Sequence, residues 1–284
     1  MEIEKDKLFL TVKDHSVSGE SFNLIRDSEL DLLYTFPKPE EKKLASYYES
    51  DDYISHTDGK RSIFERIYQI VKKIALKNKL KLVNSMQASK GKILDIGAGT
   101  GDFLSVAKED GWQVEAIEPS SKARKVAETK GISFSEETSA FTDESFDAIT
   151  MWHVLEHVPD PEAQLRELHR LLKPDGSIII AVPNHKSYDA EFYGENWAAF
   201  DVPRHLWHFS KSSIDKLSAK ANLKLIKTLP MPFDAFYVSL LSEKYKTGKM
   251  NPIKAFFNGL KSNAKAKKTG EFSSLIYIIR KPKL

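Results

Sequence analysis

The 284-residue sequence contains no cysteine. Disulfides, thiolate metal sites and a cysteine nucleophile are therefore excluded. Charge of one sign is also missing, since 43 Lys+Arg stand against 40 Asp+Glu for a net of +3. A dedicated nucleic-acid binder needs a clear basic excess to displace counterions, so no nucleic-acid partner is expected. No stretch approaches the roughly 20 apolar residues of a membrane span. The opening MEIEKDKLFL lacks the apolar run of a signal peptide, and a cytoplasmic location is expected. What is present, 41% hydrophobic residues, is enough for one large domain with a sizeable core.

The charge is distributed unevenly. Residues 1–60 carry eight Lys/Arg and fourteen Asp/Glu, a net of −6, and residues 230–284 carry eleven and three, a net of +8. A basic terminal segment is usually a solvated face, although it could meet an anionic ligand or membrane. Asn251 to Lys268 forms a short amphipathic pattern with Phe256, Phe257 and Leu260 on one side. That pattern could lie on a bilayer or cover a site on its own domain.

Periodicity divides the chain. Residues 1–60 are polar with short alternating apolar stretches, and Ser62 to Met86 has apolar residues at helical spacing. From Gly91 onward strands and helices alternate. Strands are expected at Lys92–Ile96, Gln113–Ile117, Ile132–Phe134, Phe146–Met151 and Ser177–Val182, and helices at Asp102–Glu109, Ser121–Thr129 and Pro161–Leu172. A helix at Ser212–Ala221 and strands at Leu223–Thr228 and Phe272–Arg280 complete the series. Such alternation indicates a parallel sheet covered on both faces.

The string KILDIGAGTGDFL, Lys92 to Leu104, places Gly97, Gly99 and Gly101 between a strand and a helix. Glycines permit the sharp turn and the close approach of a ligand, which sits at the carboxyl edge of the sheet. Glu118 ends the next strand, where a carboxylate can accept hydrogen bonds from both hydroxyls of a ribose. A nicotinamide cofactor would need G-x-G-x-x-G, with a pyrophosphate on the helix N-terminus. The spacing here is G-x-G-x-G, and Asp102 at the helix start would repel a pyrophosphate. Asp95 adds a second carboxylate, and the pair suits a cationic ligand with an amino group and a sulfonium, as in S-adenosylmethionine.

These segments resemble the class I S-adenosylmethionine-dependent methyltransferases. ILDIGAGTGDFL is similar to the first motif of that family, and AIEPS to its acidic second-strand end. FDAITMWHVLEHVPDP is similar to the fourth strand with its following loop, and LLKPDGSIIIAVPN to the next helix, turn and strand. The resemblance spans about Gly91 to Asn184, with a weaker continuation. It implies a doubly wound, Rossmann-like α/β fold with a seven-stranded, mostly parallel sheet and an antiparallel final hairpin. It also implies cofactor contacts at Asp95, Gly97, Ala98, Gly99, Gly101, Glu118, Pro119, Trp152, His153 and Val154. Met151-Trp152-His153 stands where base-amine methylating enzymes carry an (N/D)PPY-type motif, which excludes that group. Bacterial small-molecule enzymes of the ubiquinone-pathway O-methyltransferase type resemble the chain best. The implied activity is methyl transfer to a small-molecule acceptor, oxygen being the favoured atom. The alternative is a cofactor-binding scaffold or sensor without transfer.

Residues 1–60 are similar to an N-terminal zinc module without its cysteines, and the domain proper is expected over 61–284 with a helical insertion near 230–270. Tyr48 and His56 are expected to close over the cofactor as a lid, leaving a core that folds without residues 1–59. His153 to His157 spells H-x-x-E-H, the string of inverted zinc peptidases. Their chemistry needs that string on a continuous helix. Here it follows a strand and precedes Pro159 and Pro161, so the peptidase is a remote alternative and no metal is expected. The segment Trp197 to Ser210 follows the fifth strand of the sheet and so lies over its carboxyl edge. Arg204 is expected to orient an anionic or carbonyl-bearing acceptor. His153, His205 and His208 are the candidates for removing a proton from an oxygen nucleophile. The chain is expected to act as a monomer or homodimer.

Overall fold

The structure, a computed structural model, describes residues 7–44, 47 and 63–283. Its centre is a six-stranded sheet built from β4 (Lys92–Ile96), β5 (Gln113–Ile117), β6 (Phe146–Trp152), β7 (Leu172–Pro183), β9 (Lys224–Pro230) and β10 (Ser274–Arg280). The order is β5-β4-β6-β7-β10-β9, and β10 alone runs antiparallel to its neighbours β7 and β9. The expected α/β class is therefore present with one strand fewer. The stretch at Ile132–Phe134 makes a single bridge, Phe134 to Ala116, because only one residue there keeps register with β5.

Alternate side chains of the central strands enter opposite cores, as pleating requires. Leu94, Ile149, Ile178 and Ile180 face α5 (Pro161–Leu171) and α7 (Lys211–Lys220), meeting Leu165, Leu168, Ile214 and Leu217. Ile93, Ala148 and Ile179 face the other way, onto Val83 of α2 (Ile63–Met86) and Phe103, Leu104 and Ala107 of α3 (Asp102–Glu109). Burial on both faces explains why these strands read as continuous apolar runs. Asp160 caps α5 by accepting from Ala163 N, with Pro161 in the first turn, as helix starts favour.

The N-terminal strands β1 (Leu8–Lys13), β2 (Ser21–Asp27) and β3 (Leu32–Phe36) form an antiparallel meander. Its fourth strand is β8 (Trp207–His208), supplied by the segment after β7. Leu24, Leu32 and Leu33 are at most 1% exposed. Leu33 joins a cluster with Trp197, Phe200 and Val202, so residues 8–36 are packed into the domain. This revises the expectation that the core folds without residues 1–59. Tyr48 and His56, proposed as a lid, lie outside the described residues.

Two helices, α8 (Asp234–Thr247) and α9 (Pro252–Thr269), connect β9 to β10. In α9 the buried positions are Ala255, Gly259, Ser262 and Ala266. A Cβ on Gly259 would meet Phe236 at 2.6 Å, so the small face packs on α8, and the half-exposed Phe256 stacks on Phe236 beside it at 5.6 Å. Ile253, Phe256, Phe257 and Leu260 are exposed. Among the described residues no helix is long and apolar enough to cross a membrane.

Candidate active site

The glycine loop follows β4 and is strapped to β5. Gly97 N and Ala98 N both donate to Ile117 O, at 2.8 and 3.1 Å. Gly97, Gly99 and Gly101 have φ of 71°, 53° and 72°, the left-handed region in which glycine carries no Cβ penalty. The neighbourhoods of these glycines differ. A Cβ on Gly97 would meet Val154 at 2.4 Å, and one on Gly101 would meet Ala127 at 2.8 Å. A Cβ on Gly99 would meet nothing within 4 Å, so the loop opens there onto space for a ligand.

Glu118 stands at the end of β5 beside this opening. Its Oε2 accepts from Gly99 N and its Oε1 from Ser120 N, both at 2.8 Å. The carboxylate is thus oriented by backbone, and each oxygen keeps a lone pair for a hydroxyl donor. Pro119, exposed, turns the chain beyond it. Open space at Gly99 and an oriented acidic acceptor beside it fit the ribose of S-adenosylmethionine.

The other two acidic positions differ from the sequence expectation. Asp102 is occupied by Lys72 and Lys130, each at 2.7 Å, and by Thr100 Oγ1 at 2.8 Å. Burial opposes its ionisation, but these donors hold its carboxyl below the usual range. It ties α3 to α2 rather than facing a ligand. Asp95 is 2% exposed and accepts from Thr150 Oγ1 at 2.5 Å. Burial raises its carboxyl to about 7, against the bond from Thr150 and the charge of Lys79. The cation that answers Asp95 is thus already in the protein. Lys79 lies over the Trp152 ring, 4.3 Å from its centroid, and interacts with Asp95 and Asp234.

Beyond β6 the chain turns at His153, whose φ is 59°. Its Nε2 lies 3.1 Å from Asp234 Oδ2 and its Nδ1 3.4 Å from Glu156 Oε1. Burial lowers its pKa, but Asp234 and then Glu156 outweigh that and push it up to about 10. His153 is thus a held imidazolium, not a free base, which corrects one catalytic expectation. Leu155–His157 forms a single 3₁₀ turn, so the H-x-x-E-H string has no continuous helix and lacks the peptidase arrangement.

A cavity of about 700 Å³ adjoins this turn. His153, Glu156, His157 and His205 line its polar end, and Val238, Leu241 and Met250 are among its apolar residues. The expected acceptor residues divide. His205 borders the cavity, with Nδ1 2.9 Å from Ala199 O, and burial next to His157 pushes its pKa down to about 4. His208 is fully within the core. Its Nε2 pairs with Thr35 Oγ1 at 3.1 Å and its ring packs edge-on against Phe200, so it cannot reach an acceptor. Arg204 borders the cavity but is 4% exposed. Its guanidinium donates to Asp201 twice, to Asp14 and to Tyr47 O, leaving no bidentate fork for an acceptor. The expectation for Arg204 is corrected to a structural tie.

Sequence reasoning missed Lys79, Asp234 and His157. Asp234 comes from the helical segment before β10, and no local pattern marks it. Glu156 and His157 were visible in the H-x-x-E-H string but were set aside with the peptidase.

The profile of the methyltransferase-domain family matches residues 61–228. A ubiquinone biosynthesis O-methyltransferase of Actinobacillus pleuropneumoniae is 33% identical over 160 residues, covering 49% of this chain and 68% of that protein. The enzyme of the same name from Xanthomonas oryzae pv. oryzae is 33% identical over 130 residues, 42% of this chain and 54% of the relative. The chain therefore spans between about half and two thirds of these relatives. Among solved structures, a SAM-dependent methyltransferase from Thermotoga maritima superposes with a TM-score of 0.50 at 23% identity, covering 77% of this chain and 95% of that one. Magnesium protoporphyrin IX methyltransferase from Synechocystis gives 0.55 at 13% identity, covering 84% and 100%. These two show the shared fold.

Proposed function

Because the chain belongs to the methyltransferase-domain family and is a class I S-adenosylmethionine-dependent methyltransferase, we propose that it methylates an oxygen of a small-molecule acceptor held in the cavity beside His153–His157. The observation that carries this reading is the cavity itself. Its volume of about 700 Å³ accommodates a small molecule, it has apolar residues of α8 in its wall, and it includes histidines and carboxylates beside the carboxyl edge of β6. The names of the relatives add the choice of oxygen.

S-adenosylmethionine supplies an electrophilic methyl on its sulfonium when bound. Gly99 would leave room for it, Glu118 would accept from its ribose, and Val154 lies against Gly97 at the entry of the loop. Asp95 and Lys79 set the charge beneath the loop. His153, fixed between Asp234 and Glu156, lines the acceptor cavity. Alignment of acceptor and methyl carries most of the rate, so the chief demand on these residues is rigid placement. Exclusion of water by the apolar wall strengthens the local electrostatics. His205 and His157 line the polar end of the cavity, and on this reading one of them would receive the proton of an acceptor hydroxyl.

The reading is tested by following S-adenosylhomocysteine formation with matched phenolic and aminated acceptors. Turnover with the phenols, and none with the amines, is expected. Turnover confined to the amines overturns the choice of oxygen.

A further inference from the structure

The helical insertion carries an apolar surface that its own packing leaves outside. Fourteen large hydrophobic side chains are exposed among the described residues, and seven of them fall between Phe233 and Leu260. Half are thus gathered on the α8–α9 hairpin, a clustering that marks an interaction surface rather than scattered exposure.

The face is built into α9. Its buried positions are Ala255, Gly259, Ser262 and Ala266. Ile253, Phe256, Phe257 and Leu260 recur at i, i+3, i+4 and i+7, which puts them on one stripe roughly opposite the buried positions. Phe256 stacks on Phe236 at the border of the stripe. Ile253 and Phe257 are its tips, 73% and 64% exposed. An amphipathic surface helix ordinarily turns its bulky apolar residues to the core. Here the small residues meet the protein and the bulky ones point away from it.

The charge around this stripe is of one sign. From Lys244 to Gly270 the chain holds eight lysines and no acidic residue. Lys254 pairs with Glu243 at 3.1 Å, and Lys261 and Lys265 lie over the Tyr188 ring, 5.3 and 4.0 Å from its centroid. Seven of the eight are exposed residues. A second copy on a two-fold axis would set these lysines against their own equivalents, and lysine is depleted from protein interfaces. A nucleic-acid backbone would answer the lysines but not the aliphatic Ile253 and Leu260. An anionic bilayer answers both. The apolar stripe enters the boundary between headgroups and acyl chains, and the lysine stems carry their ammonium groups up to the lipid phosphates.

We propose that the α8–α9 hairpin is a membrane-docking surface, with α9 lying in the plane of an anionic bilayer and Ile253, Phe256, Phe257 and Leu260 below the headgroups. With five lysines in its 18 residues, α9 rests on the membrane and does not cross it. The proposal does not depend on the identity of the acceptor.

The test floats the full chain with vesicles. On phosphatidylcholine and phosphatidylglycerol at about seven to three, the bound fraction should exceed that on phosphatidylcholine alone roughly tenfold. The double variant Ile253→Ser, Phe257→Ser should lose at least about nine tenths of that binding. Val126→Ser, an exposed apolar position on the helix Ser121–Glu128, should leave it unchanged. Circular dichroism checks each variant. If the double serine variant does not fold, Lys267→Glu with Lys268→Glu, at the exposed end of α9, should remove the preference for anionic vesicles instead. Equal binding to neutral and anionic vesicles, no binding to either, or undiminished binding by a folded double serine variant overturns the proposal. Sedimentation velocity without lipid is run alongside, and a dimer lost in the double variant would assign the face to a second copy. S-adenosylhomocysteine binding is measured on the same preparations. If it persists while vesicle binding fails, the docking surface falls and the methyltransferase reading stands.

Discussion

The guanidinium of Arg204 reaches Asp14 Oδ1 at 3.1 Å across 190 residues of sequence, joining the N-terminal meander to the segment that borders the acceptor cavity. Asp201 completes the group, at 2.6 Å from the same Nη2. Removing one partner of a buried ion pair leaves the others charged and unpaired. Arg204→Ala is therefore expected to destabilise the fold by about 3–5 kcal/mol. Urea denaturation checks this, and unchanged stability with lost turnover would restore Arg204 to an acceptor role.

Glu118→Ala should weaken S-adenosylhomocysteine binding by about 1.5–3 kcal/mol, the scale of hydrogen bonds to a charged group. That corresponds to roughly a ten- to hundredfold change in Kd. Calorimetry reads it directly, and equal affinity in the variant would remove Glu118 from the ribose.

Two alanine substitutions in the glycine loop should behave differently. Gly97→Ala drives a methyl into Val154, 2.4 Å away, and should impair folding. Gly99→Ala meets open space and costs only the strain of its φ of 53°, about 1 kcal/mol. The latter variant should fold yet bind cofactor poorly, since its methyl enters the ligand's space. Thermal melts combined with calorimetry separate the two outcomes, and normal binding by Gly99→Ala would contradict this geometry.

Acid should destabilise the protein through its buried neutral histidines, against the opposite effect of Asp95, whose carboxyl at about 7 takes up its proton earlier in the folded chain than in the unfolded. Burial, and then Lys186, push the pKa of His185 down to about 4. Burial also lowers His208 well below its ordinary value. In the unfolded chain an imidazole protonates near 6.5, so between about pH 6.5 and 4 the unfolded state binds more protons. Stability therefore falls as pH falls through that window. Melting temperatures measured from pH 7 to 4.5 should decline, and His185→Gln should flatten the slope. A flat profile in the parent protein would exclude the effect.

The sheet was legible in the sequence because its strands are buried on both faces and its loop glycines are spaced for a turn. The failures have physical causes. Asp95 and Asp102 were read as ligand-facing charges, because nothing local reveals that Lys72, Lys79 and Lys130 arrive from other elements to neutralise them. Phe256 and Phe257 were read as one side of an amphipathic pattern, while the packing face, Ala255 and Gly259, carries no apolar bulk that would mark it in the sequence. His208 and Arg204 lie in a segment correctly assigned to the edge of the site. Their partners, Thr35 and Asp14, belong to the N-terminal strands, and only the tertiary structure joins them.

The most direct test follows the methyl group. The protein is incubated with methyl-labelled S-adenosylmethionine and the small-molecule fraction of a cell extract, and labelled products are resolved by mass spectrometry and carbon NMR. The account predicts label in a low-mass product at a methyl–oxygen carbon, reduced in Glu118→Ala at sub-saturating S-adenosylmethionine. Label found only on nitrogen, or only in macromolecules, would contradict it.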